Sequence, residues 1–365
     1  MSQFREDIEA FLAKREEEPS TCDRTSYTDV EIGMPLTGRC HLAETPLLKL
    51  IGDLQWKHIG EVTGVRSKDI IDAEGARLYA TFFHVETRFP ESRPMAAYGE
   101  NDRLTVASTL RRFGLSMLEG NHYLLPHSAE PGDEDTPSSP KQAIRGDIPY
   151  LRMANSFVKQ WQGAGWLKKS RPANPGMKEI KALLRPPISY LLFKRAERTG
   201  SFFSVHEGYV PMNANPLRAE YTIVPDRDLN GAGLLYFANY PLVLDICERR
   251  LLAESEYLPF PHELLDYRTL VHRSSGYFSN ASANETLRVR MQGWIENPFL
   301  LDHPDPEAAP IHLFLNFRMT RGSDRRLMML SSAKKVIYGK VLGETPLCEV
   351  LKRIAEREPL QITGE

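Results

Sequence analysis

The chain predicts an α+β fold made of one structural unit written twice, and three observations carry that expectation. A helix-start signal recurs: Thr45-Pro46-Leu47-Leu48 opens one apolar-periodic segment and Asn239-Tyr240-Pro241-Leu242 opens another. Laying Pro46 on Pro241 sets Leu47 on Leu242, Ile51 on Ile246 and Asp53 on Glu248. Long alternating segments follow each helix, and Asn101-Asp102-Arg103-Leu104-Thr105-Val106 matches Asn284-Glu285-Thr286-Leu287-Arg288-Val289.

The elements are predicted in order as follows. Residues 4–18 form an amphipathic helix with Phe4, Ile8, Phe11 and Leu12 on one face. An extended segment begins near Tyr27. Thr45 is expected as N-cap, with Pro46 at the first helical position and Gly64 past the last turn. Gly52 inside that helix costs about 1 kcal/mol against Ala, which implies that something packs closely against it. Segments 77–89, 102–113, 115–125 and 150–161 are rich in β-formers and predict strands. Between them, 127–149 turns to Pro, Ser, Gly, Asp and Glu and predicts a loop. The second copy starts near 217, with strands over 266–279, 284–296, 310–321 and 325–340, a Pro-rich loop at 297–309 and a closing helix at 345–357. One helix followed by several long strands, repeated once, is the pattern of a double hot-dog. The predicted division is an N-terminal helical extension (1–26), a first hot-dog unit (27–165), a basic connector (166–215), a second unit (216–342), and a C-terminal helix and tail (343–365). Such a fold places a pocket between its halves.

Composition narrows the function. The chain has 365 residues, 41% apolar and 26% charged, as a globular protein of two ordinary units does. Its net charge of −2 gives no electrostatic case for nucleic acid. Cys22, Cys40, Cys247 and Cys348 lack a CxxC spacing, so neither a structural zinc site nor a disulfide framework is expected. The charged start predicts no signal peptide, and no apolar run approaches the ~20 residues that span a bilayer. A cytoplasmic protein without a membrane partner or metal is expected, as monomer or homodimer.

The segment Asp228-Leu229-Asn230-Gly231-Ala232-Gly233-Leu234-Leu235-Tyr236-Phe237-Ala238-Asn239-Tyr240-Pro241 resembles the loop entering the central helix of hot-dog thioesterases. With Gly38-Arg39-Cys40-His41, the run from Ile51 to Trp56 and the run from Gly75 to Phe82, it is similar to the leinamycin-type bifunctional acyltransferase/decarboxylases of polyketide biosynthesis. The resemblance spans about 27–340 and implies a reaction. Methylmalonyl-coenzyme A is decarboxylated, and the propionyl group passes to the phosphopantetheine thiol of an acyl carrier protein. Coenzyme A or phosphopantetheine enters as substrate, and no cofactor is expected. In that family acyl transfer is assigned to a tyrosine on the first-copy strand after the helix, where Tyr79 stands here. The aromatic run of the family corresponds to Phe82-Phe83-His84, and if the functional position falls on that run rather than at 79, the tyrosine is missing here.

Decarboxylation of a malonyl-type thioester passes through an enolate, and helix N-terminal N–H groups can stabilise its oxyanion. Gly231 and Gly233 let a ligand approach the backbone at the 239 helix, and Asn230 or Asn239 offers an amide donor. Turn chemistry for Asn230 and N-capping for Asn239 stand beside that reading. Asp53 and Glu248 are candidate bases, with a salt bridge or solvated position as the alternative. His41, His58 and His84 are the available imidazoles, and Tyr236 and Phe82 complete the expected pocket.

Across 159–198, ten Lys or Arg face only Glu179 and Glu197. Lys168, Lys169 and Arg171 there are candidates for docking coenzyme A or an acidic carrier, with a solvated linker as the plain alternative. Three other functions remain open: a hot-dog thioesterase, a dehydratase, or a non-catalytic carrier-binding gate. The dehydratase ranks low because His206-Glu207-Gly208 lacks the His-x-x-x-Gly-x-x-x-x-Pro spacing. The gate is favoured if Phe82, Phe83 and Tyr236 fill the pocket.

Overall fold

The computed structural model describes residues 25–39, 41–127, 136–160, 167–205, 208–254, 260, 262–301, 303–338 and 346–356. The expected helix at 4–18 lies outside them.

The first half contains β1 (Ser26–Glu31), helix α1 (Glu44–Thr63), β2 (Tyr79–Arg88), β3 (Arg103–Phe113), β4 (Met117–Pro126) and β5 (Tyr150–Gln160). A connector carrying helix α2 (Ile188–Thr199) leads to the second half. There β6 (Leu217–Thr222), helix α3 (Asn239–Ala253), β7 (Arg268–Tyr277), β8 (Thr286–Glu296), β9 (Ile311–Arg321) and β10 (Leu327–Ile337) follow in the same order. All ten strands belong to one antiparallel sheet with the order β1-β3-β4-β5-β2-β7-β10-β9-β8-β6. That order reads the same from either end, and β2 and β7 form the seam between the copies. The chain is a double hot-dog.

The repeat is visible in local detail. Asn101 and Asn284 both adopt left-handed backbone, with φ of 69° and 60°, before β3 and β8. Asn tolerates that region better than most residues with a Cβ. Ile32 N–H donates to Asp102 carbonyl, and Ile223 N–H donates to Glu285 carbonyl. Register shifts interrupt β2 between Phe82 and His84 and β7 between Leu270 and His272. Superposing the two bulges sets His84 on His272, Val85 on Arg273 and Glu86 on Ser274.

Helices α1 and α3 lie on one face of the sheet and touch each other. One core joins both halves, drawing Leu47, Leu48 and Ile51 from α1 and Val243, Leu244 and Leu251 from α3. Burial of such side chains contributes roughly 1.5–3 kcal/mol each. The opposite face is covered at the seam by α2, which packs across β2, β5 and β7.

Several expectations need correction. Helix α1 begins at Glu44 with Ala43 as N-cap, so Thr45 is not the cap. The Leu47 N–H already donates to the Ala43 carbonyl, which starts the helix before Thr45. Gly64 does end it in left-handed conformation, with φ of 67°. Asn239 is the first helical residue of α3, and Ala238 is its N-cap. Residues 136–148 of the expected loop include a short helix, Pro140–Arg145, which Ser139 caps through its side chain. The connector is not merely linker. Leu167–Lys169 pairs with β5, and Tyr209–Pro211 pairs with β8.

Candidate functional site

The two central helices have equivalent approaches. Extending the match of Pro46 and Pro241 backwards sets Gly38 on Gly233, His41 on Tyr236, Leu42 on Phe237, Ala43 on Ala238 and Glu44 on Asn239. The structure treats these two approaches differently.

At the α3 approach, space is taken by aromatic rings. Phe237 packs on Phe82 with ring centroids 4.4 Å apart, and its edge lies 2.8 Å from where a Cβ on Gly52 would stand. This is the close packing that a helical glycine implied. Tyr236 stands over this contact, with Lys49 5.9 Å from its ring. Asn230 serves the turn: its side-chain oxygen accepts from Ala232 and Leu234 N–H. The Asn239 amide donates to the carbonyls of Arg227 and Asp228, while its buried Oδ1 has no hydrogen-bond partner among the described residues. Gly231 and Gly233 have open space where a Cβ would stand. Tyr79 opens β2 opposite Val158, two residues before Gln160, whose amide reaches the Ala232 carbonyl. Arg77 lies 4.7 Å over the Tyr79 ring.

At the α1 approach, a cleft of about 310 Å³ opens between the halves. Gly38, Arg39, His41 and Glu44 line it from the first half, and Asp245, Arg249, Arg268 and Lys335 line it from the second. No side chain caps the N-terminus of α1, and Ala43 and Glu44 at that end line the cleft, so the positive end of the helix dipole lies at it. His41 sits on the short strand His41–Leu42 that leads into this helix.

The cleft floor is an ion network spanning both halves. Arg273 Nη2 donates to Asp245 at 2.6 Å, and Lys335 donates to Asp245 at 2.9 Å and to Glu248 at 2.6 Å. Arg268 Nε donates to Glu248 at 2.6 Å. Nε of Arg273 also lies 2.9 Å from Glu44, but the approach is too bent for a hydrogen bond. Both Glu44 oxygens therefore remain without a hydrogen-bond partner among the described residues, although only 8% of the residue is exposed.

Burial raises the Glu44 carboxyl above its ordinary range, with Arg273 pulling in the opposite direction. At Asp245 burial acts in the same upward sense, but Arg273 and Lys335 outweigh it and hold the group well below the usual range. The two carboxyls of one cleft are thus driven apart, the environment in which acid and base roles separate. At the rim, Asp266 accepts from Arg39 and from Arg249, the latter at 2.8 Å.

Several expected site residues lie elsewhere. Asp53 is on the solvent side of α1, its side chain 59% exposed and paired with Lys57. Glu248 is fully buried beneath the cleft and held by Arg268 and Lys335, so it shapes the floor rather than meeting a substrate. His84 is sealed on the opposite sheet face, bonded to Ser274 at 2.9 Å and packed on Phe202. Burial pushes its pKa down to about 3. Phe83 points to α2, against Tyr190 and Phe193. Phe82 is core. Lys168, Lys169 and Arg171 are exposed at the short strand beside β5 and just after it. Among the described residues no three His, Cys, Asp or Glu side chains gather as a metal ion requires.

Sequence reasoning passed over Glu44, Asp245, Arg268, Arg273 and Lys335. A signal was present: Arg273 and Lys335 interrupt strands where Val85 in the other copy and the neighbouring Ala333 are apolar.

No family model matches the chain, and no curated protein matches it in sequence. Among solved structures it is similar to a protein designated an oleoyl thioesterase from Lactobacillus plantarum, with a TM-score of 0.55 at 9% identity, covering 88% of this chain and 97% of that one. An acyl-ACP thioesterase from Bacteroides thetaiotaomicron VPI-5482 gives a TM-score of 0.49 at 10% identity, covering 85% and 97%. A 12:0-ACP thioesterase from Umbellularia californica gives 0.44 at 9% identity, covering 85% and 96%. At such identity the first likeness speaks to the fold alone, and it agrees with the double hot-dog read from the strand order. No helix among the described residues is long and apolar enough to cross a membrane.

Proposed function

We propose that this chain is an enzyme acting on acyl thioesters of coenzyme A or of a carrier-protein phosphopantetheine, at the cleft before α1. The observation that carries the reading is the meeting, in one open cleft, of an uncapped helix N-terminus, His41 and carboxyls from both halves. Thioester chemistry develops negative charge on the carbonyl oxygen, and preorganised N–H donors stabilise it without reorganisation. The N-terminus of α1 and the His41 imidazole are the donors. Arg39 and Arg249 at the rim suit the phosphates of the pantetheine arm. The designation of the similar Lactobacillus plantarum protein as a thioesterase supports the same class of substrate.

Within that class, the resemblance carried by Asn230 to Tyr240 favours decarboxylation of a (methyl)malonyl thioester and transfer of the shortened acyl group to an acyl carrier protein. Loss of carbon dioxide leaves an enolate whose oxygen the same donors would hold. In that family's pattern the acyl group passes through a tyrosine; with the reaction at the α1 cleft, the carrier thiol attacks directly and Tyr79 takes no part. Simple hydrolysis is the second reading. Asp245 favours it, as an ionised carboxylate with its side chain 34% exposed in the cleft, able to hold and orient an attacking water by a hydrogen bond.

The test is incubation with malonyl- and methylmalonyl-coenzyme A, with and without a thiol-bearing carrier, followed by mass. Transfer adds a decarboxylated acyl group to the carrier. Hydrolysis releases free coenzyme A without a carrier adduct. No turnover of any thioester removes the reading.

A further inference from the structure

We propose that Glu44 is the proton donor of the cleft, passing its carboxylic proton to the thiolate that departs when a thioester C–S bond breaks there. The inference rests on the thioester reading above and adds a residue and a step to it.

The geometry points to a group waiting for a partner. Glu44 lines the cleft, is more than nine-tenths buried, and has neither oxygen hydrogen-bonded. A buried ionised carboxylate without hydrogen bonds is costly, whereas a neutral acid in the same place keeps a proton to give. The equivalent first residue of the other helix is Asn239, an uncharged side chain of similar shape that also carries an unpartnered buried oxygen. The position therefore accommodates a neutral group in both copies.

The cations around Glu44 make their hydrogen bonds to other carboxylates. From β7 come Arg273, at 2.9 Å, and Tyr277, whose hydroxyl donates to the Phe237 carbonyl. From α3 comes Asp245, which shares Arg273 and repels a second negative charge, and from β10 comes Lys335. His41 stands on the preceding strand, and at the rim Arg39 and Arg249 share Asp266, which leaves one positive charge over. Arg268 pairs with Glu248 below, and Lys335 is shared between Glu248 and Asp245. Arg273 is committed to Asp245 through a hydrogen bond that Glu44 does not receive. It is the positioning residue of the pair.

The step balances as follows. The nucleophile, water or a carrier thiol, is oriented by Asp245 and releases its proton to water in the cleft as it adds to the carbonyl carbon. Collapse breaks the C–S bond, its electron pair goes to sulfur, and the Glu44 O–H proton moves to that sulfur. Free thiol leaves. Glu44 is then a carboxylate 2.9 Å from Arg273, and the proton released by the nucleophile returns to it through water in the vacated cleft.

The test uses the full chain and Glu44→Gln, which keeps shape and neutrality but has no acidic proton. Infrared difference spectra between the two at about pH 7 should show a protonated-carboxyl band in the unaltered protein only. For an alkyl thioester, kcat should fall about 100-fold, with KM changed less than about threefold. An aryl thioester, whose thiol is acidic enough to leave unprotonated, should recover most of the loss. Tm should change little, because no ionised partner is removed from Arg273. The proposal is overturned by absence of the band, by equal losses on alkyl and aryl thioesters, or by a large fall in Tm. A chain that turns over neither thioester without substitution removes the thioester reading and the donor role with it. The infrared band still reports separately whether Glu44 is neutral.

Discussion

The Glu44 carboxyl and the Arg273 guanidinium sit 2.9 Å apart across the boundary between the two halves, without a hydrogen bond between them. Glu44 belongs to the helix of the first copy and Arg273 to the seam strand of the second. In the other copy the same two positions hold Asn239 and Val85. Duplication has thus left one approach charged and open to a cleft, and the other packed with Phe82 and Phe237.

Gly52 is the counterpart of that packing. A methyl group there would stand 2.8 Å from the Phe237 ring, so Gly52→Ala should destabilise the protein by about 1–3 kcal/mol of overpacking. That outweighs the ~1 kcal/mol that alanine gains in a helix. Urea unfolding of Gly52→Ala and of Gly52→Ala with Phe237→Leu should show the second change relieving the first. Additive losses would mean that the ring does not oppose the methyl group.

A pH-dependent clamp holds the turn after β2 to the second half. Burial alone would lower the His312 pKa, but hydrogen bonds with Glu296 and Glu91 outweigh it and lift the group to about 9. A raised folded value stabilises fully below the ordinary value of about 6.5, and that contribution is lost as pH rises toward 9. Stability should therefore fall by on the order of 1–3 kcal/mol between about pH 6 and 9.5. Bonded chiefly to His312, Glu91 is held down to about 2, so its part is lost only in acid, as pH falls from about 4.5 through 2. In His312→Gln the alkaline slope should flatten. An unchanged slope would assign it to other groups.

Lys168, Lys169 and Arg171 present positive charge beside β5, on a chain whose net charge is −2. Replacing all three with Glu should raise the apparent KM for coenzyme A thioesters or for an acidic carrier, with a smaller effect on kcat. The change should shrink with salt, since the Debye length is about 8 Å at physiological ionic strength. Unchanged KM at low salt would leave this stretch as a solvated edge.

Much of the fold was legible in the sequence, because period-two runs rich in β-branched and aromatic residues specify strands locally. The NDRLTV and NETLRV segments even share the left-handed Asn that precedes each strand. The helix starts were less legible. Proline at the third helical position looks like a first-position proline, which misplaced the cap by two residues. The candidate site was hardest to read. Asp53 and Glu248 occupy matching helix positions, yet one meets solvent and the other Arg268 and Lys335, because the opposing strands differ. Arg273 and Lys335 show in the sequence only as charges within strands; their place beneath Glu44 and Asp245 is made by β7 and β10 pairing across the sheet.

The most direct test of the account compares thioester turnover in His41→Ala, at the α1 approach, with that in Tyr79→Phe, near the α3 approach. Loss of one donor to the thioester oxygen costs about 100-fold or more in kcat. The account predicts a loss of that size for His41→Ala and a change of less than about threefold for Tyr79→Phe, with both variants folded. The opposite pattern, with turnover intact in His41→Ala and abolished in Tyr79→Phe, would contradict the assignment and move the chemistry to the α3 approach.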